Sequence, residues 1–250
     1  MITQKTVAVE NISETNVLEL LKEYGIVVIP NYLNNESIGS LLGEFENLLT
    51  TSDTGFKSQI PYSNGRGAKV FRRKMKENDY PVTAQVFGDS FMNELKNAYL
   101  GSNSTLNSEI FVVNDVVGTK HHANDLHFDI KPTLKFFLYL TDTNVENGAF
   151  TCVPGSHKVT KKIRAKYGEK ISYENREFSR ELPPSEVAKA IPIEGNAGTL
   201  IIFHTDTFHK AGVVSRGERK VMRGHCRLKK DNSVSKKIFN KIAQIFKSNG

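Results

Sequence analysis

The amino-acid sequence predicts a mainly β domain, a sandwich or barrel, with flanking α-helices. Before residue 106 the apolar residues recur at helical spacing, whereas the rest of the chain contains short β-branched or aromatic runs separated by Gly, Pro, Asn and Asp. The length of 250 residues, with 38% hydrophobic and 24% charged side chains, suits one globular domain. We therefore expect a single domain over residues 1–250, with a mostly helical N-terminal layer at residues 1–105 and a β core at residues 106–230.

The N-terminal layer is predicted from amphipathic segments. The run Ile-Val-Val-Ile at residues 26–29 predicts a short buried strand that ends at Pro30. Residues 51–82 are rich in Gly, Ser, Lys and Arg and lack periodicity, which predicts mostly loop. Three helices are expected, at residues 16–24, 36–50 and 83–100.

The β core is predicted from six short runs: IFVVNDVV, LHFDI, LKFFLYLTD, AFTCVPG, GTLIIFH and RKVMRGHCRL. Their length and spacing are typical of a sandwich or barrel rather than of alternating β-α-β units. Residues 158–190 interrupt the series as a charged, partly helical insertion. Residues 231–250 are predicted to form a basic amphipathic C-terminal helix, because Val234, Ile238 and Ile242 share a helical face bordered by lysines.

The positive charge is concentrated at one end of the chain. The formal net charge is +7, but residues 216–250 hold 11 Lys and Arg against two acidic side chains, and residues 1–215 are nearly neutral. A uniformly basic surface, as in many nucleic-acid-binding proteins, is therefore not indicated. We expect no nucleic-acid partner.

The cysteines and the apolar runs exclude further classes. Cys152 and Cys226 are too few for a disulfide framework or a thiolate zinc site. The first residues lack the apolar segment of a secretory signal, and the longest apolar runs are far shorter than the ~20 residues that span a bilayer. We therefore expect a cytoplasmic location.

Two segments contain the tripeptide His-x-Asp, namely His127-Phe128-Asp129 and His204-Thr205-Asp206. In an extended strand residues i and i+2 point to the same face, so each tripeptide places an imidazole beside a carboxylate. A second histidine from a neighbouring strand completes the 2-His-1-carboxylate facial arrangement, which binds non-haem Fe(II) and leaves coordination positions open.

The surrounding sequence favours the first tripeptide. His127-x-Asp129 is followed by a strand, the turn Glu-Asn-Gly, a second strand and Pro-Gly-Ser-His, and His209 lies just beyond a later strand. Arg219 follows ten residues after His209 and opens the next strand. Its guanidinium is suited to bidentate binding of a carboxylate. We predict that His127, Asp129 and His209 are the metal ligands.

An alternative ligand cluster consists of His204, Asp206 and His209. It lacks a comparable framework of strands. We interpret His204 and Asp206 as groups that support the site or the fold.

The segments HFDIKPTLKFFLYLTDTNVENGAFTCVPGSHK and HKAGVVSRGERKVMRGHC resemble the phytanoyl-CoA dioxygenase family of Fe(II)/2-oxoglutarate oxygenases. The resemblance is clearest over residues 110–228. It implies a double-stranded β-helix core (a jelly roll, cupin-like), with Fe(II) bound by His127, Asp129 and His209. It also implies a dioxygenase that consumes 2-oxoglutarate and O2 and releases succinate and CO2.

The resemblance further implies which residues bind the cosubstrate. Arg219 is expected to bind the distal carboxylate of 2-oxoglutarate. Asn114 and Lys135, on the strands before and after His-x-Asp, are expected to add polar contacts. The loop between the distal histidine and the arginine is often one residue longer in the family, so Arg216 and Arg223 remain alternatives.

The carboxylate of Asp129 bears on the type of reaction. Related halogenases carry a small residue at this position, so the aspartate favours hydroxylation, here of a small-molecule, lipid-linked or sugar-linked metabolite. The alternative from another class is a non-catalytic jelly-roll protein that binds a metal or ligand as a sensor or accessory subunit. The presence of three ligands and an arginine argues against it.

Basic segments bear on the partners of the protein. Clusters at residues 66–76 and 158–170 are placed to flank the mouth of the barrel, where they would favour an anionic substrate; the alternative is a solvated surface. Residues 233–247 of the predicted C-terminal helix are expected either to dock on their own domain or to contact an anionic membrane surface.

Overall fold

The protein consists of two antiparallel β-sheets and a helical layer on the outer face of the larger sheet. The computed structural model describes residues 2–12, 14–52, 55–60, 63–120 and 122–228. The helices are α1 (Glu14–Tyr24), α2 (Asn35–Thr50), α3 (Pro81–Phe87), α4 (Ser90–Leu100), α5 (His157–Tyr167) and α6 (Pro184–Val187). The strands are β1 (Ile26–Ile29), β2 (Lys57–Ile60), β3 (Arg66–Phe71), β4 (Ser104–Val116), β5 (Leu134–Tyr139), β6 (Phe150–Cys152), β7 (Ile191–Ile193), β8 (Leu200–His204), β9 (His209–Lys210) and β10 (Glu218–Leu228).

The order of the strands confirms a mainly β architecture. The larger sheet has the order β1-β8-β5-β10-β4-β3-β2, and the smaller sheet has the order β7-β6-β9. Neighbours in sequence are mostly not neighbours in the sheet, which indicates long crossover connections rather than simple hairpins. The long strand β10 lies between β4 and β5 and pairs with both.

The larger sheet separates two apolar layers. Side chains on one face, such as Phe136 and Leu138 of β5, pack against the helices α1 to α4. Side chains on the other face, such as Phe137 and Tyr139, pack against the smaller sheet. The alternation along β5 follows the two-residue period of a strand, although all six of its residues are buried.

One hydrogen-bonded side chain joins the two sheets. The Tyr139 hydroxyl donates to the carbonyl of Ile193 at 2.8 Å and accepts from the N–H of Phe150 at 2.9 Å. Both partners belong to the smaller sheet, so Tyr139 holds the two sheets at one distance. Burial raises the pKa of Tyr139 well above its usual value, which keeps this hydroxyl protonated.

The structure differs from the sequence prediction at residues 51–82. This region was expected to be mostly loop, but β2 and β3 extend the larger sheet beyond β4. Ala68 and Val70 of β3 are fully buried, and Lys69 between them is not. This alternation covers too few positions to be recognised as a strand in a basic segment. Residues 66–71 form a strand because they pair in register with the long strand β4, and this pairing cannot be recognised from the local sequence.

The third predicted helix is two helices. The chain between residues 83 and 100 is interrupted at Gly88, and α4 begins after Asp89, whose carboxylate accepts a hydrogen bond from the N–H of Met92 at 3.3 Å. Asp89 is therefore an N-cap, which starts a new helix.

Some of the sequence predictions concern the C-terminal segment. Residues 231–250, including the predicted helix at 233–247 and its docking or membrane contact, lie outside the described residues. Within the described part of the chain, no helix has the length and apolar character needed to cross a bilayer.

Candidate metal centre

Three predicted ligands converge between the two sheets. The candidate ligand atoms of His127, Asp129 and His209 all lie within 4.8 Å of one another. Asp129 Oδ1 is 3.7 Å from His127 Nε2 and 3.6 Å from His209 Nε2. Two imidazole nitrogens and one carboxylate oxygen therefore face a common point, with one side left open to a cavity.

Backbone pairing fixes the two histidines beside each other. The N–H of His127 donates to the carbonyl of His209 at 3.0 Å, and the N–H of His209 donates to the carbonyl of His127 at 2.8 Å. This isolated bridge replaces the longer strand that the run LHFDI predicts. The N–H of Asp129 donates to the carbonyl of Thr205 at 2.9 Å, which holds the carboxylate on the same side as the two imidazoles.

Both imidazoles are oriented by a second hydrogen bond. Nδ1 of His127 lies 2.7 Å from the carbonyl oxygen of Asp125, and Nδ1 of His209 lies 2.7 Å from the carbonyl oxygen of Thr207. A carbonyl only accepts, so Nδ1 of each ring carries a proton and Nε2 is the atom that can bind a metal. Metal-binding histidines show this arrangement in most known sites.

The charges of the site suit cation binding. Burial lowers the pKa of His209 to about 3, with His127 acting in the same direction, so its imidazole is neutral at pH 7. Burial acts to raise the pKa of Asp129, but the charges of Lys135, His209 and His127 hold it well below its usual value. The site therefore presents a neutral imidazole nitrogen of His209 and an anionic oxygen of Asp129.

Lys135, which the resemblance assigns to the cosubstrate, lines the cavity and contacts the ligand Asp129. Its Nζ is 2.6 Å from Oδ2 of Asp129, the oxygen that does not face the histidines, and its side chain is buried. Burial lowers the pKa of Lys135, while Asp129 opposes this effect. Lys135 thus holds one carboxylate oxygen and leaves Oδ1 directed at the metal position.

A cavity of about 520 Å³ opens at the three ligands. This volume falls within the roughly 300–1,000 Å³ of small-molecule sites. Its walls include the aromatic side chains Phe137, Phe150 and Phe203, together with seven Lys or Arg side chains and one acidic residue, Asp129.

Arg219 and Asn114, which the resemblance assigns to the cosubstrate, lie outside the lining of the cavity and pair with other side chains. Arg219 is 2% exposed and pairs with Asp115 at 2.5 Å, and it also donates to the carbonyl of Gly148. Asn114 lies on the opposite face of β4 from Val113, and its amide nitrogen donates to Glu218 at 3.1 Å. In the described part of the chain, neither residue lines the metal cavity.

Arg223 and His225 occupy the cavity instead. Both side chains line the cavity and contact Phe111. The guanidinium carbon of Arg223 lies 4.9 Å from the centroid of the Phe111 ring, and the His225 ring stacks on it with a centroid distance of 4.3 Å. Nε of Arg223 and Nε2 of His225 are buried without a hydrogen-bond partner in the described structure. Arg223 was one of the two alternatives to Arg219; Arg216, the other, is exposed and pairs with Glu146. His225 shares strand parity with Arg223, and its sequence context predicts a role in the core or in support of the site.

The second His-x-Asp tripeptide does not form the alternative cluster. Asp206 pairs with Arg164 of α5 at 2.6 Å. His204 packs near Tyr99, with ring centroids 5.6 Å apart. Arg164 also donates to the carbonyls of Asp129 and Ile130 at 2.6 and 3.0 Å. Asp206 therefore acts on the metal site through an arginine rather than as a ligand.

The fold and the site together define a class of protein. Two histidines and one carboxylate on one side of a jelly-roll core fit a non-haem iron that keeps open coordination positions. The unpartnered guanidinium of Arg223 in the same cavity fits an anionic cosubstrate. These features define a metal-dependent oxygenase-type centre.

The chain belongs to the phytanoyl-CoA dioxygenase family. The model of that family, described as phytanoyl-CoA dioxygenase (PhyH), matches residues 21–221. Family membership and the three-ligand site confirm the predicted enzyme class, a 2-oxoglutarate-dependent non-haem iron enzyme of the dioxygenase type, with iron and 2-oxoglutarate as its cofactors. Among curated proteins, no sequence matches this chain significantly.

Similar solved structures confirm the jelly-roll fold. The chain is similar to the epimerase SnoN in complex with Fe3+, alpha ketoglutarate and nogalamycin RO, with a TM-score of 0.60, 17% identity and coverage of 85% of this chain and 82% of that one. It is also similar to HygX from Streptomyces hygroscopicus with nickel and 2-oxoglutarate bound (TM-score 0.57, 19% identity, 86% and 87% coverage). A third is the alpha ketoglutarate-dependent carbocyclase SnoK from nogalamycin biosynthesis (TM-score 0.57, 16% identity, 90% and 85% coverage).

Proposed function

We propose that this protein hydroxylates a small molecule in an Fe(II)- and 2-oxoglutarate-dependent reaction. The observation that carries the proposal is the open arrangement of His127, Asp129 and His209 on a cavity of about 520 Å³. Bound iron would supply the activation of O2 that protein side chains cannot. In balance, the substrate C–H bond becomes C–OH while 2-oxoglutarate and O2 become succinate and CO2.

The chain's own residues bind and orient the reactants. His127 Nε2, His209 Nε2 and Asp129 Oδ1 hold the iron, and Lys135 fixes Asp129 through its other oxygen at 2.6 Å. We assign Arg223, rather than Arg219, to the distal carboxylate of 2-oxoglutarate. Arg223 is an unpaired guanidinium in the cavity, whereas Arg219 already binds Asp115.

His225 supports this assignment as a second donor. It lies two residues after Arg223 on the same face of β10, and its Nε2 has no partner in the described structure. Burial and the neighbouring cations lower its pKa far below the usual value, so the ring is neutral at pH 7. A neutral imidazole has one N–H to donate to a carboxylate, whereas unpaired burial of that group costs free energy.

The aromatic lining keeps water from the reaction centre. Phe150 and Phe203 lie 5.8 and 4.8 Å from the His209 ring, measured between centroids. With Phe137 they form an apolar wall behind the ligands. This wall supports hydroxylation at a C–H bond, since it offers the substrate an apolar surface beside the metal.

The cationic lining of the cavity favours an anionic primary substrate, such as a phosphorylated, lipid-linked or sugar-linked metabolite. A cytoplasmic location stays a prediction. Contact of residues 233–247 with a membrane also stays a prediction.

Succinate formation tests the proposal. Wild-type protein with Fe(II), O2 and 2-oxoglutarate should release succinate slowly without a primary substrate, and His127→Ala should release none. Binding of Co(II), followed by its visible spectrum, should be lost in the same variant. Absence of both Co(II) binding and succinate in the wild type would overturn the proposal and favour the non-catalytic binding protein.

The assignment of Arg223 to 2-oxoglutarate can be tested against a control arginine in the same cavity, Arg227. Arg223→Gln should raise the KM for 2-oxoglutarate at least tenfold, because a charge-assisted pair is lost. Arg227→Gln should change it less than threefold, because Arg227 lines the cavity but pairs with Glu109. Equal KM values in the two variants would remove the assignment of Arg223.

A further inference from the structure

The cations of the cavity divide into those with a carboxylate partner and those without. Lys135 pairs with Asp129, Arg180 with Asp125, and both Lys69 and Arg227 with Glu109. In the described part of the chain, the remaining three, Arg223, Lys131 and Arg176, have no carboxylate within ion-pair distance. Arg223 is accounted for by the distal carboxylate of 2-oxoglutarate.

The other two cations gather around one aromatic ring. Nζ of Lys131 lies 6.0 Å from the ring centroid of Tyr173, and the guanidinium carbon of Arg176 lies 5.5 Å from it. All three residues line the cavity, and Tyr173 is 55% exposed. Two positive charges thus lie within 6.0 Å of one exposed ring on the cavity wall, and neither has a carboxylate partner among the described residues.

The segment that carries Arg176 is tied to the metal site. Ser179 donates to the carbonyl of Arg176 through its N–H at 3.0 Å and through its hydroxyl at 2.7 Å. The carbonyl of Ser179 in turn accepts from the N–H of Phe128, the residue between two metal ligands, at 3.0 Å. Lys131 lies two residues after Asp129. Both cations are therefore held by backbone that also places the metal ligands.

We propose that Lys131 and Arg176, around the Tyr173 ring, bind a phosphate group of the primary substrate. A phosphate monoester carries about −1.5 to −2 charges at pH 7, which matches two uncompensated cations, and its oxygens accept from both a guanidinium fork and an ammonium group. The phosphate at the mouth leaves the rest of the substrate directed past Lys131 toward the metal ligands. This inference rests on the proposed function, because it takes the metal as the reacting centre.

Binding of inorganic phosphate to the metal-loaded protein tests the subsite. The full chain is loaded with Mn(II) and saturating 2-oxoglutarate, so that Arg223 is occupied, and phosphate is titrated at constant ionic strength. Paramagnetic broadening of the phosphorus-31 resonance reports phosphate held near the metal. Saturable broadening is expected, with affinity at least tenfold lower for acetate, followed by its carbon-13 resonance.

The variants separate this subsite from general surface charge. The double variant Lys131→Gln/Arg176→Gln should weaken phosphate binding at least tenfold, equivalent to about 1.4 kcal/mol. Lys161→Gln/Lys162→Gln removes the same charge from the exposed side of α5 and should leave it unchanged. Lys131 is exposed and Arg176 is half-buried, so neither substitution disturbs the core and both variants should fold.

The outcomes distinguish failure of the subsite from failure of the function. Mn(II) binding, 2-oxoglutarate binding and slow succinate release by the wild type test the proposed function without phosphate, and Lys161→Gln/Lys162→Gln should leave all three unchanged. If these hold but phosphate fails to bind, binds no better than acetate, or binds equally to all three proteins, the subsite is overturned and the proposed function stands. If the wild type binds neither Mn(II) nor 2-oxoglutarate, the proposed function is overturned as well.

Discussion

Arg164 provides the sharpest test of how the insertion supports the metal centre. Its guanidinium makes two hydrogen bonds to Oδ1 of Asp206, at 3.0 and 2.6 Å, and one each to the carbonyls of Asp129 and Ile130. It also lies 4.8 Å from the ring centroid of Phe128. One side chain from α5 thus fixes the main chain at a metal ligand and at the residue that follows it.

The contacts of Arg164 set the expected magnitude. Removing one member of a buried ion pair typically costs about 3–5 kcal/mol, because the partner charge stays buried. The side chains of Arg164 and Asp206 are 23% and 12% exposed, so water reduces this penalty. We expect Arg164→Ala to lower the free energy of unfolding by about 2–3 kcal/mol. Since groups that orient metal ligands typically contribute 10–100-fold in affinity, we also expect weaker Co(II) binding in that range.

The assay combines urea denaturation with Co(II) titration of the folded protein. Lys158→Ala is the matched control, because Lys158 lies on the same helix and pairs with Glu23 at 2.8 Å, with both side chains more than half exposed. Exposed pairs contribute about 0–1 kcal/mol, so this variant should keep its Co(II) affinity. Arg164→Lys keeps the positive charge but loses the planar guanidinium and its several N–H groups. It should therefore restore the free energy of unfolding more fully than the Co(II) affinity. A Co(II) affinity of Arg164→Ala within twofold of wild type would refute the reasoning.

Three further substitutions test the site and the fold. Lys135→Met should weaken Co(II) binding about tenfold or more, since Asp129 loses the 2.6 Å partner of its second oxygen; an unchanged affinity would show that Lys135 does not orient the ligand. Tyr139→Phe should cost about 1–2 kcal/mol in urea denaturation because two buried backbone groups lose their partner, and a change below 0.5 kcal/mol, roughly the effect of a surface substitution, would contradict the bridge between the sheets. Gly198→Ala should cost about 2 kcal/mol or more, because Gly198 has a φ of 91° and an added Cβ would lie 2.3 Å from a backbone oxygen; Gly39→Ala, on an open face of α2, is the control and should stabilise or be neutral.

The metal ligands were predictable because their signal is local. The spacing of His127 and Asp129 brings two donors to one side of any extended chain, whatever the wider fold. His209 required only the order of strands along the sequence. The segment LHFDI forms an isolated bridge at His127 rather than a strand. This single bridge to His209 is enough to bring the two imidazoles together.

The residues that face the cavity from β4 and β10 were harder to predict than the metal ligands, because their orientation depends on strand register. A shift of one residue moves a side chain to the other face of a sheet. In β4, Val113 and Asp115 face the smaller sheet, since they oppose Val221 and Arg219 of β10, so Asn114 faces the helical layer. The sequence run around Asn114 is apolar on both faces, and its alternation is therefore too weak to fix the parity.

The position of Arg219 shows that the face of a strand on which a residue lies is not enough to predict which arginine is free to bind the cosubstrate. It shares the inward face of β10 with Arg223, and the spacing from His209 places either one near the cosubstrate. The pairing of β10 with β4 sets Asp115, 104 residues away in sequence, directly opposite Arg219. A guanidinium that is 2% exposed and bound to a buried carboxylate can take a second carboxylate only by leaving the first charge unpaired in the core. Arg223 carries no such cost, and the choice between the two arginines follows from a long-range contact that strand patterns do not contain.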